Sequence, residues 1–276
     1  MQPALTDLTP EEIGRLVDRN GTECCLSWAA WPEMQLERSK SAACTPTDIP
    51  FPFFNNVFHS RFTDTDVAEG IRSTLARYQK QNVPMFWWTG PATTPANLGE
   101  HLLENGLTHG FTAPAMAVDI NSITDFETPS SAVVEEVLNE AALREWCNVM
   151  CPVYEFPEFA CEPWLRMLSH LGISVNSEYR HFLARVDGKV AATASIYFSD
   201  GVAGVSCVAT LPEYRRQGFG TMVTLAALRA ARVVGYNIGV LFASPMGESI
   251  YRRIGFEEFG RGNCYVWSPS PLAAST

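Results

Sequence analysis

Residues 208–235 read "VATLPEYRRQGFGTMVTLAALRAARVVG". An apolar run meets a proline, two adjacent arginines and two glycines one residue apart, then becomes a helix-like stretch that closes at Gly235 with Arg232 in its last turn. The first N–H groups of a helix have no intrahelical partner and sit at the positive end of its dipole, so they attract an anion. Gly218 and Gly220 let the backbone approach such an anion closely, while Arg215 and Arg216 add full charges beside it. Together these features suit a diphosphate better than a lone carboxylate. A P-loop needs Lys then Ser or Thr where this chain has Phe219 and Gly220, and a dinucleotide fingerprint needs a third glycine where it has Val223. The pattern Arg/Gln-x-x-Gly-x-Gly/Ala after a strand is matched in full by Arg215 to Gly220. A glycine-bearing turn that holds nothing is the competing reading, and the surrounding elements weigh against it.

Immediately upstream, "HFLARVDGKVAATASIYFSDGVAGVSCVAT" gives three strand-like runs separated by Asp187-Gly188 and Asp200-Gly201, an antiparallel meander. Before it, "SAVVEEVLNEAALREWCNVM" has helical periodicity through Val134, Leu138, Leu143 and Trp146, and "EPWLRMLSHLG" reads as a second helix stopped by Gly172. The aromatic, acidic loop "PVYEFPEFAC" joins them. Downstream come a strand "IGVLFAS", a helix "PMGESIYRRI" and a strand "CYVWS". The first half ends in a faint copy of this order: "MFWWTGP" and "LGEHLLENGLTHGFTAPAMAVDI" parallel "VLFASP" and "MGESIYRRIGFEEFGRGNCYVWS". In that copy "FTDTDVAEGIRSTLARYQKQ" takes the place of the elbow and lacks its two glycines. The Ser/Thr/Asp-rich "INSITDFETPSS" marks a boundary near residue 128, giving domains 1–128 and 129–276.

Length supports two domains: 276 residues lie above the usual single-domain size. The amino end has no basic-then-apolar leader and no run reaches a membrane span, so a soluble, cytoplasmic protein without membrane attachment is expected. Eight cysteines without CxxC pairs and five dispersed histidines predict reduced thiols and no metal site. Residues 1–129 carry 8 basic and 16 acidic side chains, against 12 and 14 in residues 130–276. That balance argues against nucleic acid, which needs a basic stripe. Arg215, Arg216, Arg229, Arg232, Arg252 and Arg253 still leave room for an anionic ligand in the second half.

At "VATLPEYRRQGFGT" and "ASPMGESIYRRIGF" the chain resembles the GNAT superfamily of acyl-CoA-dependent N-acetyltransferases, strongly over residues 130–268 and more weakly over the first half. The resemblance implies an α/β (α+β) fold, a mixed and mainly antiparallel sheet flanked by helices, in two GNAT-like halves of which the N-terminal one is degenerate. It also implies that acetyl-CoA is the co-substrate, its diphosphate held by Arg215, Arg216, Gln217, Gly218, Phe219, Gly220 and Thr221. Its pantetheine arm would lie along Val208, Ala209 and Thr210, where a backbone N–H would serve the carbonyl oxygen. Ser244 stands where many members of the family have asparagine and Gly247 where many have alanine, so only a reduced contact is expected at Ser244.

Thioester chemistry sets the remaining demands. The departing thiolate, with a conjugate-acid pKa of about 8.5, needs little help, and Tyr251 matches the family's tyrosine as its proton donor. An alkylammonium leaves only about one part in 10³ as free amine at neutral pH, a deficit of about 4–5 kcal/mol that a base or a pKa-lowering pocket must offset. The strand "GVAGVSCVAT" contains no acid, although many members of the family place a glutamate there. Glu155 and Glu158 are candidates to serve instead, with Tyr154, Phe156 and Phe159 walling a pocket. An exposed acidic loop with core-packing aromatics is the alternative. Cys207 has no histidine beside it in sequence and reads as an inert strand cysteine. The expected reaction is direct acetyl transfer to a small amine in a ternary complex, against a non-catalytic acyl-CoA sensor or a scaffold.

Overall fold

The computed structural model describes residues 3–124 and 132–269. Its strands are β1 (Glu37–Arg38), β2 (Ala43–Thr45), β3 (Asn56–Phe58), β4 (Met85–Thr89), β5 (Thr108–Asp119), β6 (Ala132–Glu136), β7 (Tyr179–Val186), β8 (Lys189–Ser199), β9 (Val202–Thr210), β10 (Ile238–Phe242) and β11 (Glu257–Trp267). Its α-helices are α1 (Pro10–Ser27), α2 (Val67–Gln81), α3 (Leu98–Glu104), α4 (Glu140–Val153), α5 (Glu158–Leu171), α6 (Phe219–Val233) and α7 (Glu248–Ile254). The chain divides into two compact units. Unit 1 is Met1–Cys24 with Pro114–Phe259, and unit 2 is Cys25–Ala113 with Gly260–Thr276.

In unit 1 the sheet order is β5, β10, β9, β8, β7, β6. The meander follows from its turns, because Asp187-Gly188 and Asp200-Gly201 both hold two consecutive positive φ angles, the geometry of a tight two-residue hairpin. Adjacent residues of β7 then face opposite ways. Phe182 joins Ile196, Val205, Leu225, Leu228 and Leu241 in a core beneath α6, each buried side chain contributing about 1.5–3 kcal/mol. His181 faces α4 on the other side, against the Trp146 ring at 5.0 Å. That second face is also covered by α1, whose Ile13 and Val17 pack on Ala115, Ala117, Val202 and Val240. Helix α1 begins at a reciprocal cap: Glu12 accepts from the Thr9 N–H at 2.8 Å, and Thr9 Oγ1 accepts from the Glu12 N–H at 3.3 Å.

Unit 2 orders its strands β1, β2, β3, β4, β11, β5. Helix α2 buries Val67, Ile71, Leu75 and Tyr78 against Val57, Met85 and Trp87. Its sequence of strand, helix, parallel strand, seven-residue helix and long strand (β3, α2, β4, α3, β5) repeats that of β9, α6, β10, α7 and β11, with β3–β4 and β9–β10 both parallel. The faint sequence copy therefore has a structural counterpart. The start of α2 differs from the elbow in carrying Asp64, Asp66 and Glu69, charges that repel an anion.

One sequence expectation meets a different outcome. The run from Ala132 is not the start of a helix: Ala132–Glu136 is β6, paired with β7, and the helix begins at Glu140 behind Asn139, whose side chain accepts the Ala142 N–H at 2.9 Å. Val134 and Leu138 lie four apart by coincidence, and Leu138 is exposed. The boundary near residue 128 lies outside the described residues. Within unit 1, β10 takes the end of β5 as its antiparallel neighbour, and within unit 2, β4 takes β11. Each unit thus contains a strand from the other half of the sequence.

Candidate active site

The elbow is built by backbone geometry. After Leu211 a short 3-10 turn, Pro212–Tyr214, redirects the chain, Arg216 adopts φ 60° and Gly218 φ 88°, and α6 starts at Phe219. Gly218 is the N-cap and offers no side chain, no acid lies in the first turn, and the first-turn N–H groups have no capping partner. Arg215 donates Nε to the Thr210 carbonyl at 3.2 Å and Gln217 donates its amide to the Glu213 carbonyl at 3.0 Å, so both brace the turn. Arg215, Arg216, Gln217 and Gly218 are all exposed, whereas the Phe219 side chain is buried under Tyr214, ring centroids 5.9 Å apart. Phe219 therefore has only its backbone to offer a ligand. Gly220 is buried but uncrowded: a Cβ there would lie 3.5 Å from Thr210 Oγ1 and 3.8 Å from Ile250 Cδ1. Thr221, half-buried, completes the turn.

Beside the elbow the sheet opens. Strands β9 and β10 pair only over Val202–Gly204 and Ile238–Val240. Beyond that point β9 continues on β8 to Thr210, while β10 continues on β5 to Phe242. The β10-facing polar groups along Val205–Thr210 are thereby left for another partner, which is where Val208, Ala209 and Thr210 lie. A bulge sharpens the opening. The register slips from Ser195↔Ser206 to Thr193↔Ala209, so Cys207 and Val208 together face Ala194, and Cys207 takes φ 50°. Thr193 Oγ1 fixes the distortion by donating to the Cys207 carbonyl at 3.1 Å. At the crotch of the opening, Gly204 admits Asn20 of α1: a Cβ on Gly204 would collide with Asn20 Oδ1, and Asn20 Nδ2 donates to Ser199 Oγ at 2.9 Å and to the Tyr197 carbonyl at 3.3 Å.

A cluster of uncharged polar groups surrounds the bulge. Tyr179 Oη lies 3.4 Å from Ser206 Oγ and 3.6 Å from Cys207 Sγ, and His181 Nδ1 lies 2.7 Å from Ser195 Oγ. Burial, then Cys207 and Tyr251, push the Tyr154 phenol well above its ordinary value. Burial does the same to Tyr179, with Cys207 and Cys24 adding to it. The Cys207 thiol is likewise raised by burial, which removes it as a nucleophile. His181 is pushed down to about 3 by burial alone and is a neutral ring. Tyr251, in α7, has its phenol raised by burial and stays protonated. Gly247 makes room for it, since a Cβ there would lie 2.7 Å from Tyr251 Cε2.

The sequence-derived residues thus divide. Elbow, β9 and Tyr251 come together in unit 1, and Tyr154 joins them through its interaction with Cys207 and Tyr251. Glu155, at φ 55°, and Glu158, opening α5, are both exposed. Ser244 is exposed and accepts the Gly247 N–H at Oγ, 3.2 Å, stabilising the turn before α7. Tyr179, Ser206 and Asn20 were not singled out in the sequence, where they are ordinary strand and helix positions. Among the described residues no three His, Cys, Asp or Glu side chains gather around a metal-sized site, and no helix is long and apolar enough to cross a membrane.

Residues 143–256, from α4 through the elbow to the end of α7, match the model of the acetyltransferase (GNAT) family. This segment is a GNAT acetyltransferase domain. No curated protein matches the chain. Solved structures agree over nearly its whole length. A GCN5-related N-acetyltransferase from Kribbella flavida is similar at TM-score 0.70 and 18% identity, covering 95% of this chain and 96% of that one. One from Sphaerobacter thermophilus gives 0.65 and 14%, covering 99% and 96%. A tandem GNAT protein of the clavulanic acid biosynthesis pathway gives 0.58 and 14%, covering 99% of both chains. At these identities the likeness is one of fold, extending beyond the GNAT segment to both units. The family match itself rests on residues 143–256, and that segment carries the acyltransferase assignment.

Proposed function

We propose that this chain moves an acetyl group from acetyl-CoA to the amine of a small molecule, by direct attack in a ternary complex, in the cytoplasm where its eight free thiols stay reduced. The observation that carries the reading is the juxtaposition of an uncapped, glycine-initiated α6 with a β9 that separates from β10. The first offers N–H groups to a diphosphate, and the second offers a strand edge to the amides of a pantetheine arm. Arg215, Arg216, Gln217, Gly218, Gly220 and Thr221 would hold the diphosphate, with the Phe219 backbone between them. Bound there, acetyl-CoA supplies an activated acyl group.

The chain's own residues then have three tasks. Backbone N–H groups at the bulge, near Val208 to Thr210, stabilise negative charge on the carbonyl oxygen. Tyr251, kept protonated by burial, donates to the departing sulfur. Tyr154 closes the acceptor side, and Glu155 and Glu158 stand at its exposed approach rather than beside the bulge. A second reading, a non-catalytic acyl-CoA sensor, draws on the lack of an acid on β9.

Calorimetric titration with acetyl-CoA, followed by free-thiol release with an amine panel, tests both. Saturable binding with turnover is expected. Binding without turnover of any amine favours the sensor, and no heat at millimolar ligand overturns the coenzyme reading altogether.

A further inference from the structure

Around the β9 bulge, hydroxyls, a thiol and a neutral imidazole from β7, β8 and β9 face one another, and Tyr154, Tyr251 and Cys24 act on them electrostatically. Tyr154 closes α4, Tyr179 and His181 belong to β7, Ser195 to β8, Ser206 and Cys207 to β9, and Tyr251 to α7, with Cys24 of α1 reaching Tyr179. After burial, Tyr179 is influenced by Cys207, Cys24 and Ser206, Cys207 by Tyr179, Ser206, Ser195 and Cys151, and Tyr154 by Cys207 and Tyr251. Carboxylates of α4 and α5, the helices on either side of Tyr154, are engaged elsewhere. Glu145 binds Arg185 at 2.8 Å and Glu162 binds Arg144 at 3.0 Å. Arg180, between Tyr179 and His181 in β7, faces the opposite side, where Glu136 holds it at 2.6 and 2.7 Å. Glu155 and Glu158 are exposed.

An ammonium brought to such a place would lose its water and meet, among the described groups of the cluster, only hydroxyls, thiols and a neutral ring, a cost of several kcal/mol by general desolvation arguments. It would also find no base, since His181 is committed to Ser195 and sealed from solvent. A hydroxyl-lined site does suit a neutral nitrogen. Tyr179 Oη and Ser206 Oγ can accept its N–H groups and leave its lone pair free.

Resting on the acetyl-transfer reading, we infer that the acceptor is a weakly basic amine, un-ionised at neutral pH, of the arylamine class, recognised by the hydroxyls of Tyr179, Ser206 and Tyr154. The nitrogen lone pair forms the N–C bond, the C–S bond breaks, and its electron pair leaves with sulfur. Tyr251 gives sulfur its proton, and the proton shed by nitrogen restores the phenol. Nothing else is consumed. A weakly basic nitrogen becomes strongly acidic once acylated, so its proton departs without a carboxylate.

The test uses the full chain with acetyl-CoA, comparing 4-methoxyaniline with benzylamine by thiol release. Arylamine turnover at pH 7 is expected to exceed benzylamine turnover by about tenfold or more in kcat/KM, and to stay flat from pH 6.5 to 8 (arylamine un-ionised throughout), while any benzylamine rate climbs about tenfold per pH unit with its free fraction. Ser206→Asp, which adds the missing carboxylate, is expected to narrow or invert the preference. Faster benzylamine turnover at pH 7, or an unchanged preference in a folded Ser206→Asp protein, overturns the inference. So does acetyl-CoA binding with neither amine consumed, which leaves the coenzyme site standing. Failure to bind acetyl-CoA at all removes the acetyl-transfer reading instead, and this inference with it. If Ser206→Asp does not fold, the wild-type comparison decides alone.

Discussion

The two glycines of the elbow do different work, and alanine separates them. Gly218 sits at φ 88°, which an L-residue adopts at a cost of about 1–2 kcal/mol, so Gly218→Ala should destabilise the protein by that amount. At this chain length each kcal/mol corresponds to roughly 2–4 °C in Tm. Gly220 is inside α6, and the nearest atoms to an added Cβ stand at 3.5 and 3.8 Å, ordinary van der Waals contact. Gly220→Ala should therefore stabilise, by up to about 0.5–1 kcal/mol from helix propensity. For coenzyme binding, Gly218→Ala distorts the turn that aims the N–H groups and should weaken acetyl-CoA by about tenfold, near 1.4 kcal/mol. Gly220→Ala should change it by less than about twofold, and only a larger side chain at 220 should block it. Urea unfolding and calorimetric titration of the two variants measure both quantities. A Gly218→Ala protein as stable and as tight-binding as the parent, or a Gly220→Ala protein destabilised by more than about 1 kcal/mol, would refute the reasoning.

Two further outcomes follow from the site. Tyr251→Phe should lower kcat by about 10²-fold with acetyl-CoA affinity preserved, and Gly247→Ala, whose Cβ would press on Tyr251 Cε2, should lower kcat in the same direction; steady-state kinetics with unchanged kcat in both would remove the acid role. The buried His181 makes stability depend on pH: its folded value lies near 3 against 6.5 unfolded, so the stability it permits is complete above pH 6.5 and falls as pH drops toward 3. Between pH 7 and 5 the loss should be about 2 kcal/mol, read as a urea midpoint shift that His181→Gln abolishes.

The elbow was legible in sequence because its chemistry is local. Glycine at a positive φ, an uncapped helix start and flanking arginines all announce themselves within six residues, and the two Asp-Gly hairpins do so within two. Tyr251 was found by its distance from Gly255-Phe256, which the helix geometry of α7 preserves. What escaped was set by contacts distant along the chain. Asn20 reaches Ser199, and nothing near residue 20 marks it except a polar side chain on the buried face of α1. The Thr9–Glu12 cap fixes where that helix starts, not its destination. The bulge at Cys207 puts a cysteine in a conformation that favours glycine, so no residue type betrays it. Tyr179 and Ser206 occupy ordinary alternating strand positions whose meaning depends on the register between β7, β8 and β9. The strand at Ala132–Glu136 was misread because four-residue spacing of apolar side chains fits a helix, while its pairing with β7 is set by the distant hairpin partner.

The interchange of strands also orders events during synthesis. Helix α1 precedes Ala115, Val202 and Val240 in the chain yet must cover them, so its apolar face waits, uncovered, until they are made. Unit 2 likewise cannot finish its sheet until β11, which follows every strand of unit 1 in the chain, has been made. Neither half can mature as an independent nascent domain, and a fragment cut between them would be born with a bare strand edge on β10 or β4, a template for aggregation.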